Sequence, residues 1–412
     1  MFNVDSLRSD LTQELPAALD ILRQMVGINS FTANSQGVNK LAKFTAEVFA
    51  PLGFSAEYVQ AANPAFGTHL VLTKPGRKKA QIAMISHIDT VFPPEEEERN
   101  QFRWQPEGDM IFGPGTEDIK GGTAMMWLVL SALKKHAPAL YEDVSWKLLW
   151  NAAEECFSPD FGDVCRKNFT DDTLAALVFE AEGRANGKSL MVVARKGRAS
   201  WRVKVSGRGA HAGSKHPLGA NAAVQLGETL QKIANLTDYG RKLTFNVGTI
   251  SGGTVLNRVP HEAVAEGEFR AFTSEDYEHG KAGLLKLAGT GSVRAAEDQF
   301  ACNVAVEILT ETGPWPRNQA TDRLYTFWRE AAAETGVPMD WQERGGLSDG
   351  NLIWDAVPTL DGLGPWGDND HCSERSADGS KLPEFVLVSS FVPKAIVNVL
   401  AISRLYEASK TS

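Results

Sequence analysis

AQIAMISHIDTVF, residues 80–92, is an almost unbroken apolar run with a histidine and an aspartate, His87 and Asp89, two positions apart near its end. Such a run reads as a strand buried on both faces, and on an extended chain a two-residue spacing turns both polar side chains to one side. HLVLTKPG (69–76), SWKLLWNAAEE (145–155) and LAALVFEAE (174–182) are runs of the same kind. Loops and a helix beginning near Gly121 separate them. Ahead of them, apolar residues recur at helical spacing from Ser6 to Leu52, with Gly53 as a stop, and predict two opening helices. Strands alternating with helices specify an α/β sheet covered on both faces.

Near Gly197 the texture changes. GRASWRVKVSG (197–207) alternates as a half-exposed strand does, and a helical pattern from Asn221 to Leu236 follows it. LTFNVGTISGG, AVAEGEFRAF, a helix over about 274–288 and the strand CNVAVEILTE complete a β-α-β-β-α-β order, which is a ferredoxin-like unit. After Gly313 the alternation resumes with TDRLYTFWREAAAETG and closes with the helix FVPKAIVNVLAISRLYEAS. The expectation is one α/β domain, residues 1–194 and 309–412, interrupted by a smaller domain at 195–308. The four glutamates Glu95 to Glu98 read as a solvated loop.

The chain has 412 residues, with 42 Lys and Arg against 51 Asp and Glu, a formal charge of -9. That balance argues against nonspecific nucleic-acid binding and against a polybasic membrane anchor. TAMMWLVLSAL (123–133) falls well short of the ~20 residues a membrane helix needs. Charged residues at Asp5, Arg8, Asp10 and Glu14 interrupt any secretory apolar stretch. Cys156, Cys165, Cys302 and Cys372 include no CxxC pair, which fits reduced thiols and a cytoplasmic setting.

Chemistry gathers at the ends of the apolar runs. His87 and Asp89 suit a metal ligand and its support. Asp118 lies in GPGTEDIKGG (113–122), a Gly-rich loop entering a helix, where two carboxylate oxygens can bridge two cations. Phosphate cradling is the rival reading, but neither GxGxxG nor GxxxxGK[ST] is present and acids flank the loop. Glu154 and Glu155 end one strand and Glu180 another, and α/β sheets gather ligands at the carboxyl ends of their strands. His371, in DNDHCSE, supplies a second imidazole. Each alone has an ordinary explanation as a core or solvated residue. Together, two histidines and three carboxylates suit two Zn²⁺ ions.

These motifs, with GRGAHAG, LNRVP and GGLSDGN, resemble over nearly the whole chain the co-catalytic zinc exopeptidases and amidohydrolases. That family includes acetylornithine deacetylase, succinyl-diaminopimelate desuccinylase, aminoacylase and the bacterial glutamate carboxypeptidases, the last being the nearest branch. The resemblance implies a mixed sheet sandwiched by helices and an inserted ferredoxin-like lid and dimerisation domain. It implies that Asp118 bridges two zinc ions, with Co²⁺ or Mn²⁺ able to replace them. His87 and Glu180 would hold one ion, and Glu155 and His371 the other. Asp89 would orient His87, and Glu154 would be the general base. Glu180 directly follows the apolar strand as the family ligand does, with Glu182 as the alternative.

In the inserted domain, His211 resembles the histidine that reaches the substrate carbonyl, with His216 as its rival. Asn257 and Arg270 resemble positions that grip a substrate carboxylate. LTETGPWP stands where the glutamate-specific relatives place an arginine. The implied activity is hydrolysis of an amide in a small peptide or N-acyl amino acid with a free carboxylate, by a homodimer, without nucleic-acid or membrane partners. The alternatives are an N-acyl amino acid deacylase, a catalytically silent metal-binding assembly protein, or a nucleotide-binding α/β protein.

Overall fold

In the computed structural model, which describes residues 3–410, the apolar runs pair side by side. One sheet has the order Ser55–Gln60, Thr68–Lys74, Ser145–Asn151, Gln81–His87, Thr173–Val178, Thr359–Leu360. Thr68–Lys74 runs antiparallel to both of its neighbours, and Gln81–His87 has a parallel neighbour on each side. Every residue of that central strand is buried. Its alternation divides the core. Ile82 and Met84 join a cluster with helix residues such as Leu22, Leu128 and Val399, while Ala83 and Ile85 pack with Phe161, Cys165 and Ile353. Ser55–Gln60 is an exposed edge strand, and its polar sequence SAEYVQ gave no buried run to read.

The helices Val4–Val26, Ser35–Phe49, Lys120–His136, Gln319–Thr335 and Phe391–Ser409 supply the larger cluster. Asn3, Asn34 and Asn318 cap three of them by accepting a backbone N–H from the first turn. Residues 388–409 are long and apolar enough to cross a membrane by composition, but 72% of their 18-residue apolar window is buried inside the protein. Within this helix Asn398 accepts from the buried Trp328 indole at 2.8 Å and donates to the Leu363 carbonyl at 3.0 Å. Its polar group is thereby satisfied in the core. Glu95 to Glu98 belong to a short helix, Pro94–Asn100, rather than a loop.

A second compact unit comprises Ala194–Pro316 with the short return Arg344–Leu347, and the remainder of the chain forms the first unit. The second unit's sheet runs Thr244–Gly252, Glu262–Ala271, Gly197–Ser206, Ala301–Thr312, Gly289–Arg294, antiparallel throughout. The first four stand in the ferredoxin-like order, and the helices Ala222–Ala234 and Ser274–Leu285 pack on the sheet through Leu226, Ile233, Tyr277 and Leu284. Gly289–Arg294 is an additional edge strand that its sequence GTGSVR did not announce. The expected break at 308/309 falls inside Ala301–Thr312, whose whole length lies in this unit.

Candidate metal centre

Three parallel strands end at one edge of the first unit's sheet, and their last residues lead into the candidate ligands. His87 closes its strand opposite Asn151, the final residue of the neighbour. Beyond Asn151 the strand pairing stops and Glu154–Cys156 forms a 3-10 turn. That turn frees Glu154 and Glu155 from the up-and-down alternation of a strand. Each backbone N–H of this bend has an acceptor. Ala152 donates to His69 Nδ1 at 3.1 Å, Ala153 to Asn151 Oδ1 at 3.0 Å, Glu154 to Asp89 Oδ1 at 3.0 Å and Glu155 to Asp89 Oδ2 at 3.2 Å. The two glutamates are held by the aspartate that also stands beside His87.

The Asp118 loop is built in the same way from the other side. Glu384, fully buried, accepts the N–H groups of Gly115 at 3.3 Å, Glu117 at 2.8 Å and Asp118 at 3.1 Å. It is brought there because Phe385–Leu387 pairs with Met110–Phe112, the strand that feeds the loop. The Asp118–Ile119 peptide is cis. The helix then starts at Lys120, and a Cβ at Gly122 would lie 2.0 Å from the Phe179 carbonyl, so only glycine lets the helix approach the strand end that carries Glu180.

His87, Asp118 and Glu180 bring ligand atoms within 4.8 Å of one another, and Glu155 meets this group through His371. His87 Nε2 lies 2.9 Å from Asp118 Oδ1 and 3.8 Å from Glu180 Oε1. His371 Nε2 lies 3.4 Å from Asp118 Oδ2 and 3.2 Å from Glu155 Oε2. Each oxygen of Asp118 thus faces a different imidazole. Spacings of roughly 3–4 Å are what two ligands about 2.0–2.2 Å from one tetrahedral ion must have. The other nitrogen of His87, Nδ1, is 3.0 Å from the Asp89 backbone carbonyl and 3.5 Å from the Asp89 carboxylate, which directs Nε2 to the cluster. Glu182 lies apart from it, paired with Arg184 at 2.9 Å and Lys394 at 3.3 Å.

Electrostatics make the same point. Burial, joined by the charges of neighbouring acids, raises Glu154 well above the usual carboxylate range. Glu155 is pushed up to about 7 by burial and the Asp118 charge. Burial alone would keep His87 neutral, but its hydrogen bonds to Asp118 and Asp89 outweigh that and raise it well above the ordinary histidine value. Hydrogen bonds to Asp118 and Glu155 raise His371 to about 11. Asp118 moves the other way: its hydrogen bonds to both imidazoles overcome burial and lower it. Acids that repel one another out of water around two imidazoles fit a site for divalent cations.

In the second unit, His211 Nδ1 accepts the N–H groups of Gly213 at 3.1 Å and Ser214 at 3.2 Å, which makes Nε2–H the ring's donor. His216 opens an exposed 3-10 turn. Asn257 is exposed, and its carbonyl accepts from Ala212 at 2.9 Å. Arg270 makes a two-point pair with Glu268 at 2.7 and 3.2 Å and donates to the Gly345 carbonyl at 2.8 Å. Its guanidinium is therefore oriented by this unit's own groups.

Glu384, His69, Thr32 and Asp349 are further groups at the centre that the sequence reading passed over. Asp349, in GGLSDGN, is buried, accepts from Asn151 at 2.7 Å and is pushed up to about 7 by burial. The signals for them were an acid opening the apolar run EFVLV, a histidine heading HLVL and the aspartate within GGLSDGN.

Residues 193–292 match the peptidase dimerisation domain of the M20 family. The chain is 26% identical to carboxypeptidase G2 of Pseudomonas sp. (strain RS-16) over 381 residues, 90% of this chain and 87% of that protein. Aminopeptidase PepT from Bacillus cereus has a similar fold at TM-score 0.76 and 20% identity, covering 95% of this chain and 99% of that one. An M20 family metallo-carboxypeptidase from Sulfolobus solfataricus superposes at TM-score 0.69 and 17% identity, with coverages of 95% and 99%. The resemblance carried by the motifs is borne out.

Proposed function

We propose that this chain, which belongs with the M20 peptidases, hydrolyses the peptide bond of a small peptide carrying a free carboxylate. The observation that carries the reading is the meeting of His87, Asp118 and Glu180, and of His371 with Asp118 and Glu155, beside Glu154. His87 and Glu180 would hold one divalent ion, Glu155 and His371 a second, and Asp118 both. Zinc suits this mixture of imidazole and carboxylate, with Co²⁺ or Mn²⁺ able to replace it. Bound there, the ions would supply Lewis-acid polarisation of the scissile carbonyl and acidify the attacking water.

The chain's own groups do the rest. Glu154 takes up a proton and returns it to the leaving nitrogen, a role suited to a carboxylate whose proton affinity is raised by burial. Asp89 holds Glu154 through its backbone N–H and stands behind His87. On the resemblance, His211 would offer Nε2–H to the developing oxyanion, and Asn257 and Arg270 would receive the substrate carboxylate.

Homodimerisation fits the matched dimerisation domain and the edge strand Thr244–Gly252, where Ile250 is 65% exposed. Four free cysteines fit a cytoplasmic location.

A panel of dipeptides, C-terminal glutamyl peptides and N-acyl amino acids tests the substrate class through kcat/KM, with peptides expected to dominate. Glu154→Gln should lower kcat by at least about 10²–10⁴-fold while metal content stays unchanged. Retained turnover would overturn the role of Glu154, and a panel dominated by N-acyl amino acids would favour the deacylase.

A further inference from the structure

Asp370 stands outside the five-ligand set, one residue before His371. Asp118, Asp370 and His371 nevertheless each place a ligand atom within 4.8 Å of one another. Consecutive residues of an extended chain face opposite ways. Here Asn369 at φ 65° and His371 at φ 61° turn the backbone through the left-handed region, and the two side chains converge on the bridging aspartate. Beyond the turn the segment is fastened by Ser373, 3% exposed, whose hydroxyl donates to Glu96 and accepts from Asn100 Nδ2 at 2.7 Å. Both partners belong to the glutamate-rich helix Pro94–Asn100.

We infer that Asp370 is a further ligand of the ion shared by Asp118, Glu155 and His371. The inference rests on the two-ion reading above. It gives the second ion three carboxylates and one imidazole, against two carboxylates and one imidazole for the first. An oxygen-rich, harder set favours Mn²⁺ relative to its standing at an imidazole-richer site, so the two positions differ in metal preference. The added negative charge also strengthens retention of a divalent ion at a position where the His371 side chain is 53% exposed.

The full-length protein, stripped by chelation, is titrated calorimetrically with Mn²⁺ and separately with Zn²⁺ for the wild type, Asp370→Asn and Asp370→Ala. In Asp370→Ala the second Mn²⁺ should bind about 10–100-fold more weakly, since loss of even an outer partner costs that much. The loss for Zn²⁺ should be smaller, the first ion should bind as in the wild type, and Asp370→Asn should fall between. A variant that binds both ions as the wild type does overturns the inference, as does one in which only the KM for peptide rises. A wild type that binds fewer than two ions removes the two-ion reading and the inference together; a two-ion wild type with indifferent variants removes the inference alone.

Discussion

Asp89 makes more bonds than its spacing from His87 announces. The His-x-Asp pattern was legible because a strand turns alternate side chains to one side. That the Asp89 oxygens also accept from Thr32 at 2.6 Å and from the N–H groups of Glu154 and Glu155 was not, since those partners are remote in sequence. Glu384 is the stronger case, a buried acid satisfied by three N–H groups more than 260 positions earlier, and no local spacing encodes it. Glu384→Ala should leave the Gly115, Glu117 and Asp118 donors without their acceptor. At about 1–3 kcal/mol per buried unsatisfied group, the urea midpoint should fall clearly. Metal affinity should drop by about 10–100-fold as the Asp118 loop loosens. Unchanged values for both, from denaturation and metal titration, would contradict this role.

Among the elements, the sequence disclosed those whose burial is uniform or periodic. Gln81–His87 and Thr173–Val178 are mainly apolar along their length because parallel strands are covered on both faces. Ser55–Gln60 and Gly289–Arg294 lie at sheet edges, where the side chains carry little burial signal. The helix Pro94–Asn100 has no buried residue and owes its place to hydrogen bonds that Glu96 accepts from Ser373 and Glu97 from Asn29, and that Asn100 donates to Ser373. The edge strand Thr244–Gly252 bears on assembly, because an unpaired strand margin with exposed apolar residues is a surface for pairing with another copy. Light scattering should give a dimer for the wild type, and Ile250→Lys should shift it towards monomer with the circular dichroism unchanged. A monomeric wild type would contradict the homodimer.

At the scale of the whole molecule, the candidate centre should tie stability to pH and metal together. Glu155 and Asp349 at about 7 and Glu384 at about 8, all raised first by burial, keep their protons in the metal-free native state where the unfolded chain has lost them. Stability is then intact below the unfolded values of 4.5 for Glu and 3.8 for Asp, and is lost progressively as the pH rises towards 7–8. Thermal denaturation of chelated protein should show Tm falling between about pH 5 and 8. Divalent metal, which requires ionised ligands, should remove or reverse that slope; a Tm of the chelated protein that rises across this range would contradict the assignment.

Anomalous diffraction at the zinc edge from crystals of the zinc-loaded protein tests the centre most directly. Two peaks are predicted, one bounded by His87, Asp118 and Glu180 and one by Asp118, Glu155 and His371. A zinc-loaded crystal with neither peak, or with zinc bound away from these side chains, would contradict it.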